Sequence, residues 1–205
     1  MSSIKLISLD LDFARSNNKQ IGILVGNDTI DNVLSILPDN DNIRYIILSN
    51  GTLIYDIKKD QVVYDIAIGN DEVLNYLELV KKEEVLVQAI TYNEIIQERK
   101  DDIDYFNMPE KSINKKIRYI DDIIAYLERN VDAVYQINIY HHTIIGCKRN
   151  RQRLTSLGLN VISSDKTTVE CTKKTLGYKK ICKMLKVDPE DIFVISDESL
   201  VNNNS

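Results

Sequence analysis

Short apolar runs without clean alternation open the chain. Ile4–Asp10, Ile21–Val25 and Tyr45–Leu48 carry apolar residues at successive positions, as parallel strands do when both sheet faces are covered. Between the second and third, Thr29–Leu37 predicts a short helix, stopped by Pro38 and the polar Asp39–Asn42 turn. The middle has a different texture. Leu53–Tyr55 and Gln61–Ile68 flank a turn at Lys58–Asp60, as in a hairpin. Asp71–Lys82 places Val73, Leu74, Leu77 and Val80 at helical spacing, with Asp71 as its cap. Glu84–Thr91 and Asn93–Glu98 predict two strands, and the polar, Pro109-containing Lys100–Lys116 predicts a loop.

Further on, Ile117–Arg129 predicts a helix, Ala133–Tyr140 a strand, and Lys148–Leu157 a helix ended by Gly158. Asn160–Ser164 and Thr167–Thr172 predict a strand pair. The tail returns to the opening texture, with an amphipathic helix over Lys174–Leu185, a turn at Asp188–Glu190 and a buried strand over Asp191–Ser196. The expectation is an α/β core split in sequence, residues 1–56 and 165–205, around an α+β insert over residues 57–164.

Composition narrows the function classes without choosing one. The 205 residues suffice for one substantial core or two modest domains. With 43% hydrophobic and 28% charged residues and a net charge of −5, the chain reads as an ordinary globular protein. Its dispersed Lys and Arg argue against a dedicated nucleic-acid or membrane-surface protein. The basic run Lys148–Arg153 reads as the solvated face of a helix, with phosphate binding as the alternative. No apolar stretch approaches the roughly 20 residues that span a bilayer, and no signal-type segment opens the chain. Cys147, Cys171 and Cys182 are odd in number and far apart, which fits free buried thiols in a reducing cytoplasm. His141 and His142, adjacent on a strand, point to opposite faces and do not make a metal site.

Chemistry concentrates at the end of the first run, Ile-Lys-Leu-Ile-Ser-Leu-Asp10-Leu-Asp12. Side chains alternate along a strand, so Asp10 and Asp12 leave the same face at its carboxyl end. Open parallel sheets place their ligands there. Two convergent carboxylates can hold a divalent cation, or divide nucleophilic and acid/base work. They can equally be acidic turn residues closing a strand.

Three further motifs follow in order: Ser49-Asn50-Gly51-Thr52-Leu53-Ile54-Tyr55, Lys174 at the head of a helix, and Ile192-Phe-Val-Ile-Ser-Asp197. Together with Asp10-Leu-Asp12 they resemble the haloacid dehalogenase superfamily, in its Cof-type branch. The resemblance implies a reduced Rossmann-like α/β core with a parallel sheet and an inserted α+β cap. It implies that Asp10 is the nucleophile, Asp12 the acid/base and Lys174 a charge-stabilising residue. Asn50 and Gly51 would bind the substrate phosphate, and Asp10, Asp12 and Asp197 would hold Mg²⁺. The implied activity is phosphatase action on a small phosphorylated metabolite.

The chain also departs from that pattern. Phe13 and Ala14 stand where the family has Gly and Thr, and Val25 stands where a hydroxyl residue binds phosphate, unless Thr29 replaces it. Val201 stands where a second acidic residue lies near the metal. Weak Mg²⁺ binding and weak activity are expected, with a catalytically inactive binding protein on the same fold as the rival reading. Only about ten residues link Asp10 to Ile21, fewer than a helical crossover usually takes. The first core helix and the last core strand therefore look absent, and a homodimer, or else a cap or tail segment folding over the gap, is expected to cover the exposed sheet.

Overall fold

The computed structural model describes residues 20–25, 29–36, 43–100, 106, 117–130, 133–162, 167–174, 182–184, 186, 188 and 192–196. The predicted strand Ile4–Asp10 and most of the predicted helix Lys174–Leu185 lie outside them; Cys182–Met184 are helical. The chain divides at residues 65/66 and 174/175 into two compact units.

The first unit is built on a five-stranded sheet. Its strands are β1 (Gln20–Val25), β2 (Ile43–Leu48), β3 (Leu53–Asp56), β4 (Gln61–Asp65) and, from the far end of the sequence, β13 (Ile192–Ser196). Their order is β13-β1-β2-β3-β4, with β1 parallel to both β13 and β2 and the remaining pairs antiparallel. Helix α1 (Ile30–Ile36) connects β1 to β2 and buries Ile30 and Val33. This is the α/β core that the continuous apolar runs predict: four of the last five residues of β2 carry large apolar side chains, and all are buried except Arg44. The hairpin β3–β4 turns through a single 3-10 turn closed by Asp60 at φ 52°. Asp56 secures that turn. Buried at the end of β3, it accepts from the Lys59 backbone N–H and pairs with the Arg44 guanidinium at 3.2 Å.

The sequence places the core-to-insert joints at 56/57 and 164/165. Strand pairing instead carries the first unit through β4, and the strand Thr168–Thr172 belongs to the second unit's sheet.

That second sheet has six strands in the order β11-β12-β10-β6-β7-β8. They are β6 (Val85–Ile90), β7 (Ile95–Glu98), β8 (Ile117–Ile120), β10 (Gln136–His141), β11 (Asn160–Ile162) and β12 (Thr168–Thr172). A two-stranded ribbon, β5 (Ile68–Gly69) with β9 (Ala133–Val134), completes the β structure. The helices are α2 (Asn70–Val80), α3 (Ile123–Asn130) and α4 (Ile144–Ser156).

Alternation gives this sheet two different faces. Val85, Val87, Ala89, Ile96, Ile137, Ile139, Val169 and Cys171 form one buried cluster with Val73, Leu77, Ile123, Leu127 and Leu154 of the helices. The opposite face is polar and nearly as buried. Cross-strand register aligns Glu170, Asn138, Gln88 and Gln97 in one row. Gln136 donates to Asn138, Asn138 and Tyr140 donate to the Gln88 carbonyl oxygen, and Gln88 donates to Gln97. Such a network tolerates burial because its groups satisfy one another.

Several boundaries differ from the sequence pattern for identifiable reasons. Gly69, not Asp71, caps α2, its backbone N–H donating to the Glu72 carboxylate at 3.3 Å. Ile117–Ile120 pairs in parallel with β7 as an edge strand, and the helix begins only after Asp122, whose side chain accepts from the Ile124 and Ala125 N–H groups. The strand expected over Ala133–Tyr140 is broken at Tyr135, whose N–H donates to the Ile90 carbonyl. Helix α4 starts four residues before Lys148, because the Thr143 hydroxyl accepts from the Gly146 N–H and caps it. Gly158, at φ 87°, closes it as predicted, a conformation that favours glycine. The basic run is largely solvated, with Arg149 and Arg153 both pairing with Glu83, but Asn150 is fully buried. All three cysteines are free and buried, and burial pushes the Cys171 thiol well above its usual range. No described helix is long and apolar enough to cross a membrane.

Asn150 is buried to meet His141. The His141 Nδ1 lies 3.1 Å from the Thr167 carbonyl, which can only accept, so the proton sits on Nδ1 and Nε2 accepts from Asn150 Nδ2 at 3.0 Å. Desolvation holds the imidazole below its ordinary pKa, opposed in part by Glu83 and reinforced by His142. A depressed histidine is neutral when folded, so the unfolded chain takes up its proton first as pH falls through about 6.5. We expect the unfolding free energy to drop between pH 7.5 and pH 5.5, with the drop continuing until the folded pKa is passed. Urea titrations at both pH values should show a smaller drop for His141→Gln. An equal drop in both proteins would show that His141 is not responsible.

Candidate active site at the carboxyl ends of the parallel strands

Parallel pairing sets the carboxyl ends of β13, β1 and β2 side by side. Leu24 is in register with Ser196, and Val25 with Leu48. This is the edge of an open sheet at which α/β proteins bind ligands. Asp197 follows β13 by one residue and Gly26 follows β1; both lie outside the described residues, as do Asp10, Asp12, Phe13 and Val201.

At the end of β2 the backbone does something unusual. Ser49, Asn50 and Gly51 all adopt positive φ, at 46°, 58° and 86°. Asn-Gly is the dipeptide that turns prefer, and Gly51 adopts this conformation freely. Ser49 does not, since a left-handed conformation costs an L-residue about 1–2 kcal/mol. The turn is held from one side by Thr52, fully buried, whose backbone N–H and hydroxyl both donate to the Ser49 carbonyl, at 3.3 and 3.0 Å.

The turn also leaves donors unspent. The Ser49 Oγ and the Asn50 Nδ2 are both buried atoms without a hydrogen-bond partner. A buried hydroxyl or amide left unsatisfied costs about 1–3 kcal/mol. Non-glycine residues at positive φ that also carry unpaired donors, as Ser49 and Asn50 do, are what a preformed anion-binding turn carries before its ligand arrives. The family resemblance points to Asn50 and Gly51 here but not to Ser49, because a serine at a strand end carries no signal until its φ and its burial are known.

The other predicted positions fall elsewhere. The Thr29 hydroxyl oxygen accepts from the Asn32 N–H at 3.4 Å and caps α1, which ties it to the helix start. Lys174 is exposed, two residues past β12 in the second unit. Its neighbour Lys173 pairs with Glu72, and that hydrogen bond holds the Glu72 carboxyl below its usual range. The second unit has a polar cleft of about 280 Å³, lined by Thr91, Tyr92, Asn93, Glu94, Asn130 and Tyr135 among others. Glu94 in it is already engaged by Arg118 and Tyr126. Among the described residues no group of three His, Cys, Asp or Glu side chains is placed to hold a metal ion. The carboxylates predicted for Mg²⁺ are hard oxygen donors, chemically suited to that cation.

The sequence pattern of the haloacid dehalogenase-like hydrolases matches residues 11–199. The chain belongs to that family. Its fold is shared with solved structures at low identity. A haloacid dehalogenase-like hydrolase from B. subtilis superposes with a TM-score of 0.71 at 16% identity, over 91% of this chain and 74% of that one. A protein described as a subclass IIB sugar phosphatase gives 0.68 at 18% identity, over 94% and 71%. A protein from Thermotoga maritima gives 0.68 at 13% identity, over 90% and 70%. No curated protein matches the chain.

The energetics of the turn can be checked directly. Asn50→Gly removes both the strained non-glycine φ and the unpaired amide, so it should stabilise the protein by about 1 kcal/mol. Thr52→Val leaves the Ser49 carbonyl with one donor fewer and should destabilise by about 1–2 kcal/mol. Denaturant midpoints moving in opposite directions would support this account; a destabilised Asn50→Gly would contradict it.

Proposed function

We propose that this family member is a Mg²⁺-dependent phosphatase acting on a small phosphorylated metabolite, with slow turnover. The observation that carries the reading is the Ser49–Gly51 turn, which presents buried, partnerless donors at the carboxyl end of a parallel core strand. Phosphate is the ligand class such donors suit, since each of its oxygens accepts hydrogen bonds. The sugar phosphatase among the fold neighbours supports the same substrate class at the level of fold alone.

In this reading the Asp10 carboxylate attacks phosphorus and displaces the substrate alkoxide, giving an aspartyl-phosphate. Asp12 protonates the leaving oxygen, then takes a proton from the water that cleaves the acyl-phosphate. Lys174 balances the negative charge of Asp10 and the phosphoryl oxygens, and the Asn50 amide with the Gly51 backbone N–H orients the phosphate. Mg²⁺, held by Asp10, the Asp12 main-chain carbonyl and Asp197, would offset repulsion between carboxylate and phosphate. The unit over residues 66–174 serves as the cap.

Slow turnover follows from what the residues lack. Valine at 25 has no hydroxyl, and loss of one such donor costs about 2.7–4 kcal/mol of transition-state stabilisation. Val201 supplies no carboxylate to the cation. The same absences favour the second reading, an inactive protein that binds a ligand through the family fold.

A Mg²⁺-dependent screen over sugar phosphates, nucleotides and an aryl phosphate distinguishes the two. We expect low but measurable release of phosphate, abolished by Asp10→Asn, and a thermal shift only at millimolar Mg²⁺, because stabilisation follows RT ln(1 + [L]/Kd). Equal activity in Asp10→Asn, or none in either protein, would refute the catalytic reading.

A further inference from the structure

The residue that the family pattern leaves out at the end of β1 has a neighbour one strand away. Val25 is the last residue of β1 and is in register with Leu48, the last residue of β2. Ser49 comes next. Adjacent strands lie about 4.8 Å apart, so the hydroxyl of Ser49 belongs to the same sheet edge as the hydroxyl that residue 25 lacks.

We propose that the Ser49 hydroxyl is an anion donor of this site, making up from β2 part of what the hydroxyl missing from β1 would give. The proposal rests on the phosphatase reading for its ligand class, a phosphate oxyanion. Three observations converge on it. Ser49 is 1% exposed. Its Oγ has no hydrogen-bond partner, although the neighbouring Thr52 hydroxyl is paired. And it holds φ 46° where glycine would be relaxed. A purely structural turn would use only the Ser49 carbonyl, which Thr52 already engages, and would be better served by glycine. A serine kept buried, strained and unpaired is explained by a ligand that accepts its proton. Asn50 Nδ2, also buried and unpaired, is the second donor of the same turn.

The structural and ligand-binding roles predict opposite effects of glycine. Ser49→Gly removes the hydroxyl and relaxes the backbone, whereas Ser49→Ala removes the hydroxyl and keeps the strain. Titration of the full chain with inorganic phosphate in the presence of Mg²⁺ should show affinity about ten- to hundredfold lower in both variants, the range for a hydrogen bond to a charged group. The melting temperature of Ser49→Gly should equal or exceed that of the unsubstituted protein. Adding Val25→Thr to Ser49→Ala should recover at least part of the lost affinity, since it returns a hydroxyl to the neighbouring strand end.

Unchanged phosphate affinity in both Ser49 variants would overturn the proposal, as would absence of phosphate binding by the unsubstituted chain. Aryl phosphate turnover, measured in parallel, separates the two claims. Turnover that survives with unaltered phosphate binding in the Ser49 variants sinks the Ser49 role and spares the phosphatase reading. Phosphate binding that depends on Ser49 without any turnover sustains the role and sinks the catalytic reading.

Discussion

Parallel pairing of Gln20–Val25 with Ile43–Leu48 on one side and Ile192–Ser196 on the other governs the first unit. Joining strands from opposite ends of the sequence closes a long loop, and that entropy is recovered only by burying apolar strands together. The return is visible in Ile43, Tyr45, Ile46, Ile47 and Leu48, all buried on one strand. Once the register is set, the carboxyl ends of all three strands share one edge. Ser49 then has no freedom to continue β2. The chain reverses at once into Leu53–Asp56, which pairs antiparallel with β2 from Leu48↔Leu53 onward. A reversal that tight needs left-handed residues, and the donors of the turn are buried as a consequence.

The second unit solves a different problem. Its sheet buries an apolar face under three helices by ordinary alternation, but its other face is buried too and is polar. Hydrogen bonds among Gln136, Asn138, Gln88, Gln97 and Tyr140 make that burial tolerable. Leu86, Tyr140 and Phe106 add an apolar patch on the same face. His141, on the apolar face, extends the same logic: a neutral imidazole bridges Thr167 and Asn150 and ties α4 to the sheet.

Stability and function pull against each other at the strand ends. Asn50 and Ser49 combine unfavourable φ with unpaired donors, and each would be replaced by glycine if stability alone mattered. Thr29, by contrast, spends its hydroxyl on capping α1. Two hydroxyl residues thus flank the strand ends, Thr29 serving the fold and Ser49 left open.

The class of this protein and most of its elements are legible in the residue pattern alone. Continuous apolar runs mark β1, β2 and β13, the Lys58–Asp60 turn between two runs marks the hairpin, and helical spacing marks α2, because these patterns depend on local geometry. The Ser49–Tyr55 motif, with its Asn-Gly dipeptide, located the turn. The remaining features depend on distant partners. Ile117–Ile120 became an edge strand because β7 offered an unpaired side, and Asn150 was buried because His141 needed a donor. The joints between units followed strand pairing rather than texture, leaving β4 with one sheet and β12 with the other. Ser49 is the sharpest case. Its residue type is unremarkable in sequence, and only burial, backbone angle and the missing partner set it apart, all three produced by strands that meet in space and not along the chain.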